Sequence, residues 1–218
     1  RVLYIDGERS QLDHWNSADR TRRRAGLDSW LPEYVRFALY AMEPKVKDRI
    51  DTLYAMIEGH QAELVMIDGL GDFMRDVNDP AEAADLIYSL TARAKKNNLG
   101  VIGTIHPNPS GDMQKARGHL GSEAMRRAES VLLLKKNSDG SRTLHTNFSL
   151  GKVRNADDNL ASSFAWSDEH RMFVSCDNPD PGAERKTDRA RKLADELVSV
   201  PVASNDLMRA IIEKDGCS

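Results

Sequence analysis

The chain has 218 residues, of which 40% are hydrophobic and 30% are charged, an ordinary composition with enough apolar material for a buried core. This length suits one large domain, or one domain with a small appendage. The formal net charge of -3 excludes a globally basic nucleic-acid-binding surface, so any such contact must come from local patches.

The first predicted elements are a strand, two helices and one ambiguous apolar segment. Residues 2–6 (VLYID) are β-branched and aromatic, which predicts a short buried strand. Residues 10–25 predict a polar helix. Residues 34–42 (YVRFALYAM) fit a strand or a helix, because periodicity does not decide between them. A further helix is expected over 45–60, with one apolar face formed by Val46, Ile50, Leu53 and Ile57.

The middle of the chain has the pattern of a strand–helix–strand unit. Residues 64–68 (LVMID) and 99–106 (LGVIGTIH) are apolar and predict strands. The helix between them begins at Pro80, with Asn78 or Asp79 as its cap. Its predicted apolar stripe consists of Ala84, Ile87, Leu90 and Ala94. A unit of this kind predicts parallel strands, and hence an α/β fold with a mostly parallel sheet flanked by helices.

The second half of the chain predicts a loop, a short helix and antiparallel strands. The loop is expected over 107–121 (PNPSGDMQKARGHLG) and the helix over 122–129. A strand is expected over 130–136, and the remaining strands, 142–150, 162–167 and 172–175, are expected as antiparallel additions at one edge of the sheet. Residues 176–186 predict a linker. Residues 187–218 predict two amphipathic helices, which match the opening of a helix-turn-helix or winged-helix domain, or equally an interaction tail.

Polar residues lie at the ends of three predicted parallel strands. Asp6 with Glu8 lies at the end of the strand of 2–6, Asp68 ends the strand of 64–68, and His106 ends the strand of 99–106. In an open parallel sheet, ligands bind beyond the carboxyl ends of the strands. Carboxylates there can hold Mg²⁺ and orient water for attack on a phosphate. Taken singly, Asp68 fits an ordinary turn equally well, and Glu8 and His106 fit an ordinary surface position better; the shared edge is what favours a site.

Five segments in this order resemble RecA-like ATPases, most closely the hexameric helicases of the DnaB and RepA type and their relatives on plasmids and mobilizable elements. The segments are VLYIDGE, ELVMIDGL, VIGTIH, RGHLGSEAMRRAESVLLLKK and GKVRN, and the resemblance covers residues 1–175 as one core domain. It implies ATP and Mg²⁺ as cofactors and a homo-oligomeric, hexameric ring. By position, Asp68 matches the Mg²⁺-associated Walker B acid, Glu8 the catalytic glutamate, and His106 the polar sensor of the nucleotide.

The segment GKVRN supplies two further candidate catalytic residues. Lys152 and Arg154 lie two residues apart, so on a strand both side chains share a face. The resemblance implies that this pair reaches the nucleotide of the neighbouring subunit. The alternative interpretation is a solvated basic strand at the edge of a sheet.

The chain departs from the family pattern in one respect. The motif GxxxxGK followed by Ser or Thr, which cradles phosphates, does not occur in residues 1–218. In the family this loop precedes the strand that ends in the catalytic glutamate. We therefore expect it upstream of Arg1, and we expect the chain as given to bind nucleotide weakly or not at all.

Two basic segments are candidates for contact with single-stranded DNA. Lys115 and Arg117 lie in the loop that follows His106, and four arginines fall within residues 20–24, where a solvated helix face is the alternative. The resulting hypothesis is an ATP-dependent helicase acting in replication or mobilisation. A non-catalytic DNA-binding or assembly module, or an ATPase switch that regulates or loads proteins, shares these motifs.

Cysteine content and hydropathy bear on the compartment. Cys176 and Cys217 are far apart and lack the spacing of a metal site, which predicts a reduced, cytoplasmic protein. No apolar run approaches the roughly 18 residues that a membrane span needs. We therefore expect no membrane partner.

Overall fold

The computed structural model describes residues 1–39, 45–108, 115–146, 151–153 and 161–177. These residues form two compact units. The first holds the described residues up to Val131 together with 151–153, and the second holds 132–146 and 161–177. The predicted C-terminal helices of 187–218 lie outside the described residues.

The parallel sheet belongs to the first unit. Its strands, within the described residues, are β1 (Val2–Asp6), β2 (Val35–Leu39), β3 (Leu64–Asp68) and β4 (Gly100–Gly103), in the order β2-β1-β3-β4. All three pairings are parallel, as the strand–helix–strand pattern predicted. The ambiguous apolar segment of 34–42 contains a strand, because its residues from Val35 to Leu39 pair along the whole of β1.

The helices of the first unit are α1 (Gln11–Arg24), α2 (Val46–His60), α3 (Pro80–Asn97) and α4 (Gly118–Arg127). Their starts follow from capping chemistry. The Ser10 side chain accepts a hydrogen bond from the Asp13 backbone N–H at the start of α1. Asp79, rather than Asn78, caps α3 by accepting from two backbone N–H groups, and Pro80 occupies the first turn.

Two sequence predictions for these helices need correction. The buried residues of α3 are Ala83, Leu86, Ile87 and Leu90. The predicted Ala84 and Ala94 are only half-buried, because the helix is rotated by about one residue relative to the predicted stripe. Helix α4 begins at Gly118, so the predicted loop ends four residues earlier than expected.

One hydrophobic core holds the first unit together. Apolar side chains of β1, β3, α2 and α3 meet in it, with Phe73 and Leu120 completely buried. Phe73 belongs to a 3-10 turn, Leu70–Phe73, that directly follows β3 and packs against α2. Full burial of each such side chain contributes about 1.5–3 kcal/mol. The core therefore fixes the end of β3, where Asp68 lies.

The remaining strands are antiparallel and form separate sheets. In the first unit, β5 (Ser130–Val131) pairs with β8 (Lys152–Val153). The strands of the second unit are β6 (Leu133–Lys136), β7 (Arg142–His145), β9 (Ala161–Ser167) and β10 (Met172–Cys176). Over the ranges that the structure describes, they form a sheet in the order β10-β9-β7-β6.

The expected addition to one edge of the parallel sheet is therefore wrong for the described strands. The predicted strand of 130–136 is divided at Leu132, because its two parts pair with different partners. Among the described residues, no helix is long and apolar enough to cross a membrane.

Candidate active site

The ends of β1 and β3 place Asp6 and Asp68 side by side. The two residues are paired in the parallel register, and the Gly7 backbone N–H donates to the Asp68 carbonyl at 3.4 Å. Glu8 lies just beyond β1, and His106 lies three residues beyond β4. The structure brings these two side chains together, with 3.4 Å between Glu8 Oε1 and His106 Nε2. The predicted residues Glu8, Asp68 and His106 thus share one edge of the sheet.

Both carboxylate oxygens of Asp68 accept hydrogen bonds. Oδ2 accepts from the Tyr4 hydroxyl at 2.6 Å and from Arg9 Nη2 at 2.9 Å. Oδ1 accepts from the Thr104 hydroxyl at 3.0 Å, and this hydroxyl itself accepts from the Gly69 backbone N–H. Burial, followed by the hydrogen bond to Asp68, raises the pKa of the Tyr4 phenol, so the hydroxyl stays protonated and remains a donor.

Asp6 fixes the turn that carries Glu8. Its side chain is completely buried, and Oδ1 accepts the backbone N–H groups of Glu8 and Arg9 at 3.2 and 3.1 Å. Oδ2 lies 3.3 Å from Nδ1 of His14, a buried residue of α1, and 3.7 Å from Arg9 Nε. A buried carboxylate needs such partners, because an unpaired charge there is strongly unfavourable. Asp6 therefore has three contacts with the turn that follows β1 and one contact with α1.

Asp72 brings another carboxylate to the same place. Its Oδ2 atom is buried and finds no hydrogen-bond partner in the part of the chain that the structure describes. A Cβ atom at Gly69 would lie 3.0 Å from this oxygen and 3.1 Å from Glu8 Oε1, so both oxygens face the space beside Gly69. Burial, followed by the negative charge of Glu8, raises the pKa of the Asp72 carboxyl.

The oxygen-rich donor set has the chemistry that Mg²⁺ prefers. In the described ranges there is no group of three or more His, Cys, Asp or Glu side chains arranged to hold a metal ion. Mg²⁺ commonly binds through one or two carboxylates, several waters and the phosphates of the substrate, which needs no such group. The orphaned Asp72 oxygen beside Glu8, and the single donor on Asp68 Oδ1, are compatible with this kind of binding.

His106 is connected to the base of the predicted DNA-binding loop. The Arg117 backbone N–H donates to the His106 carbonyl at 3.0 Å. One residue further along, Pro107 and Ala116 form an isolated antiparallel bridge. The side chains of Lys115 and Arg117 are exposed, and residues 109–114 at the tip lie outside the described residues. The His106 backbone is therefore hydrogen-bonded to Arg117 at the base of the loop.

Of the predicted pair in GKVRN, Lys152 is described and Arg154 is not. Lys152 begins β8, and its Nζ donates to the Arg126 carbonyl at 3.2 Å. Arg126 belongs to the last turn of α4, where a cation compensates the unpaired carbonyl groups of a helix end. Lys152 therefore has a structural contact within its own chain.

Sequence reasoning missed Tyr4, Arg9, Asp72 and Thr104. Thr104 and Asp72 lie within four residues of a predicted site residue, so a search of the polar positions beyond each strand end would have found both. Arg9 directly follows Glu8, so the same search would have named it, but only the parallel pairing of β1 with β3 shows that Arg9 and Tyr4 reach Asp68.

Comparison with known proteins gives no assignment: no family model matches the chain, and no curated protein matches it.

Proposed function

We propose that this chain carries the greater part of a RecA-like ATPase core, which hydrolyses ATP and acts on single-stranded DNA as a ring in replication or mobilisation. The observation that carries the proposal is the meeting of Glu8, Asp68 and His106 from three strand ends at one edge of a parallel sheet. This edge is where open α/β sheets bind their ligands. The order of the three residues along the chain matches the order in the resembling ATPases.

Each residue has a role suited to its surroundings. The half-exposed Glu8 carboxylate can orient a water molecule toward a terminal phosphate and accept its proton. Asp68 is the residue that would hold Mg²⁺, directly or through water, and the bound ion supplies neutralisation of phosphate charge. His106 contacts Glu8 through its ring and Arg117 through its backbone, so it can couple the phosphate state to the loop that binds DNA.

The proposal assigns Lys152 and Arg154 to the nucleotide of the neighbouring subunit. An arginine supplied in trans accelerates phosphoryl transfer by about 10³- to 10⁵-fold. Lys152 Nζ donates to the Arg126 carbonyl at the end of α4, so this lysine must leave that contact to reach a neighbouring nucleotide.

The outer edge of β4 is exposed and could pair with a further strand from the sequence that precedes Arg1. In the described part of the sheet, β4 has a neighbour on one side, and the Ile102 side chain is 50% exposed. An apolar edge strand is a template for pairing. We propose that the strand leading to the phosphate-binding loop pairs here, which would place that loop beside the strand-end carboxylates.

A non-catalytic module with the same fold is the second candidate. It is favoured by the Asp68 carboxylate, whose two oxygens are already engaged by Tyr4, Arg9 and Thr104. It is also favoured by the lack of a phosphate-binding motif in residues 1–218. This candidate retains DNA binding or assembly but predicts no ATP turnover.

ATP turnover by a protein extended upstream of Arg1, measured with and without single-stranded DNA, separates the candidates. Turnover stimulated by DNA is expected for the motor. Turnover that ignores DNA indicates a switch acting on protein partners. DNA binding without any turnover would overturn the ATPase proposal and leave the non-catalytic module.

A further inference from the structure

Arg9 lies between the two carboxylates that end β1 and β3. Its Nη2 is 2.9 Å from Asp68 Oδ2, and its Nε is 3.7 Å from Asp6 Oδ2. Its Nη1 donates to the Ser17 hydroxyl on α1. The guanidinium therefore joins the ends of two strands to a helix, and its side chain is 38% exposed.

Asp6 has other partners, whereas Asp68 depends on Arg9 for a cation. Asp6 also accepts two backbone N–H groups and faces His14. The other donors to Asp68, Tyr4 and Thr104, are neutral hydroxyl groups. Arg9 is the cation within 4.0 Å of the Asp68 carboxylate in the described ranges of the chain.

The donors on Asp68 leave little room for a metal ion. An ionised carboxylate offers about four lone-pair positions, two on each oxygen. Tyr4 and Arg9 take both positions on Oδ2, and Thr104 takes one on Oδ1. A divalent cation, or the water that it carries, can use the remaining position, but it then lies on a carboxylate whose charge Arg9 already compensates.

We infer that Arg9 is a resident counter-cation of Asp68 that competes with the divalent metal ion, and that it thereby sets the metal affinity of the strand-end site. This inference rests on the proposed function, since it takes Asp68 as the metal-binding residue. Release of Arg9 leaves its guanidinium bonded to Ser17, so α1 receives the side chain that the metal displaces. Arg9 is a positioning residue, because it acts through Asp68.

Mn²⁺ binding to the 218-residue chain tests the inference without any need for ATP turnover. Mn²⁺ takes the same oxygen ligands as Mg²⁺ and can be followed by electron paramagnetic resonance. Arg9→Gln is expected to bind Mn²⁺ about fivefold more tightly than the native chain, the upper end of what one partly exposed ion pair contributes. Arg9→Lys keeps the charge and is expected to stay within about threefold of native affinity.

Two further variants complete the design. Arg36→Gln removes an exposed arginine of β2 with the same change of charge and is expected to leave the affinity unchanged. Asp68→Asn is expected to weaken binding. If Asp68→Asn weakens binding but Arg9→Gln does not strengthen it, the competition is refuted while the proposed metal site stands. If Asp68→Asn has no effect, or if Arg9→Gln binds no Mn²⁺, the metal assignment and the competition both fail.

A measurement on the native chain covers the case in which Arg9→Gln does not fold. The resonance of the Arg9 Nη2 protons reports the ion pair with Asp68 directly in a nuclear magnetic resonance titration with Mg²⁺. We expect this resonance to shift, and its protons to exchange faster with water, when Mg²⁺ is added. A resonance that stays unchanged while Asp68 signals move would overturn the inference.

Discussion

Gly69 separates two carboxylates that face the same space, and a Cβ atom there would press against both. The residue has φ of 97°, a left-handed conformation that favours glycine. The added Cβ would approach Asp72 Oδ2 and Glu8 Oε1 to 3.0 and 3.1 Å. Two carboxylates placed close together destabilise the fold, and such pairs occur most often at functional sites, where the chemistry uses their shifted pKa values.

Replacement of Asp72 by Asn should stabilise the protein near neutral pH. The fold raises the pKa of the Asp72 carboxyl above its ordinary value of 3.8, through burial and the charge of Glu8. Well below pH 3.8 the carboxyl is neutral in both the folded and the unfolded chain, and it then costs no stability. As pH rises through the raised pKa, the carboxyl ionises inside the fold, and the stability of the native protein falls. Asn avoids this loss, because it does not ionise.

Urea unfolding at several pH values checks this prediction. The stability difference in favour of Asp72→Asn should be present at about pH 7 and should vanish by about pH 3. Asp85→Asn, an exposed change of the same charge on α3, is the control. An Asp72→Asn variant that is less stable than the native protein at neutral pH would show that the carboxylate has a stabilising partner.

Single residues at strand ends could be predicted from the sequence, and their partners could not. A run of apolar residues that stops at an acid marks the end of a strand, which located Asp6 and Asp68. Arg9, by contrast, reaches Asp68 only because β1 and β3 pair in register from Val2 with Leu64 to Asp6 with Asp68. Periodicity within one segment carries no information on that register.

At the scale of elements, β4 is the part of the sheet that most needs a neighbour. The Gly100 and Thr104 backbone N–H groups donate to carbonyls of the β3 side, at Glu63 and Ile67. Because parallel strands alternate, the N–H groups of Val101 and Gly103 point to the outer side. Three of the four residues of β4 are exposed.

Hydrogen exchange of β4 should therefore depend on the upstream segment. In a protein extended upstream of Arg1, the Val101 and Gly103 amides are expected to exchange at least about 100-fold more slowly than in the 218-residue chain, because a new strand protects them. Ile102, whose N–H faces β3, serves as the internal control. Equal exchange of Val101 and Gly103 in both proteins would refute pairing at this edge.

Elements with strong local signals were predicted well, and elements defined by pairing were not. Helix α3 begins where Asp79 and Pro80 predicted, because capping is a local interaction. The segment of 130–136 reads as one apolar strand, yet it is divided between β5 and β6. Its two parts find different partners, and no property of the segment itself reveals that choice.

At the scale of the whole molecule, the loop that follows His106 is the proposed link between ATP and DNA. Its base is held by a bridge and by hydrogen bonds at both ends of the described part. The exposed Lys115 and Arg117 extend from this base. With a net charge of -3, the molecule depends on such local cations for any contact with phosphates.

Neutralising both cations should weaken binding to single-stranded DNA and reduce its salt dependence. Each lost phosphate contact lowers the slope of log affinity against log salt by about 0.7, so the Lys115→Gln, Arg117→Gln double variant should lose about 1.4. Fluorescence anisotropy over a series of salt concentrations measures the slope. Lys95→Gln with Lys96→Gln, an exposed pair on α3, is the matched control. An unchanged slope in the loop variant would place DNA elsewhere.

The proposed role of Glu8 as the residue that activates water is tested most directly by ATP hydrolysis and ATP binding in Glu8→Gln. Both are measured in the protein extended upstream of Arg1, beside the native protein and the exposed control Glu33→Gln. Loss of a general base lowers the rate by about 10²- to 10⁴-fold, so hydrolysis should fall by that factor while the Kd for ATP stays within about threefold. Hydrolysis at the native rate in Glu8→Gln would contradict the assignment of the strand-end site as the catalytic centre.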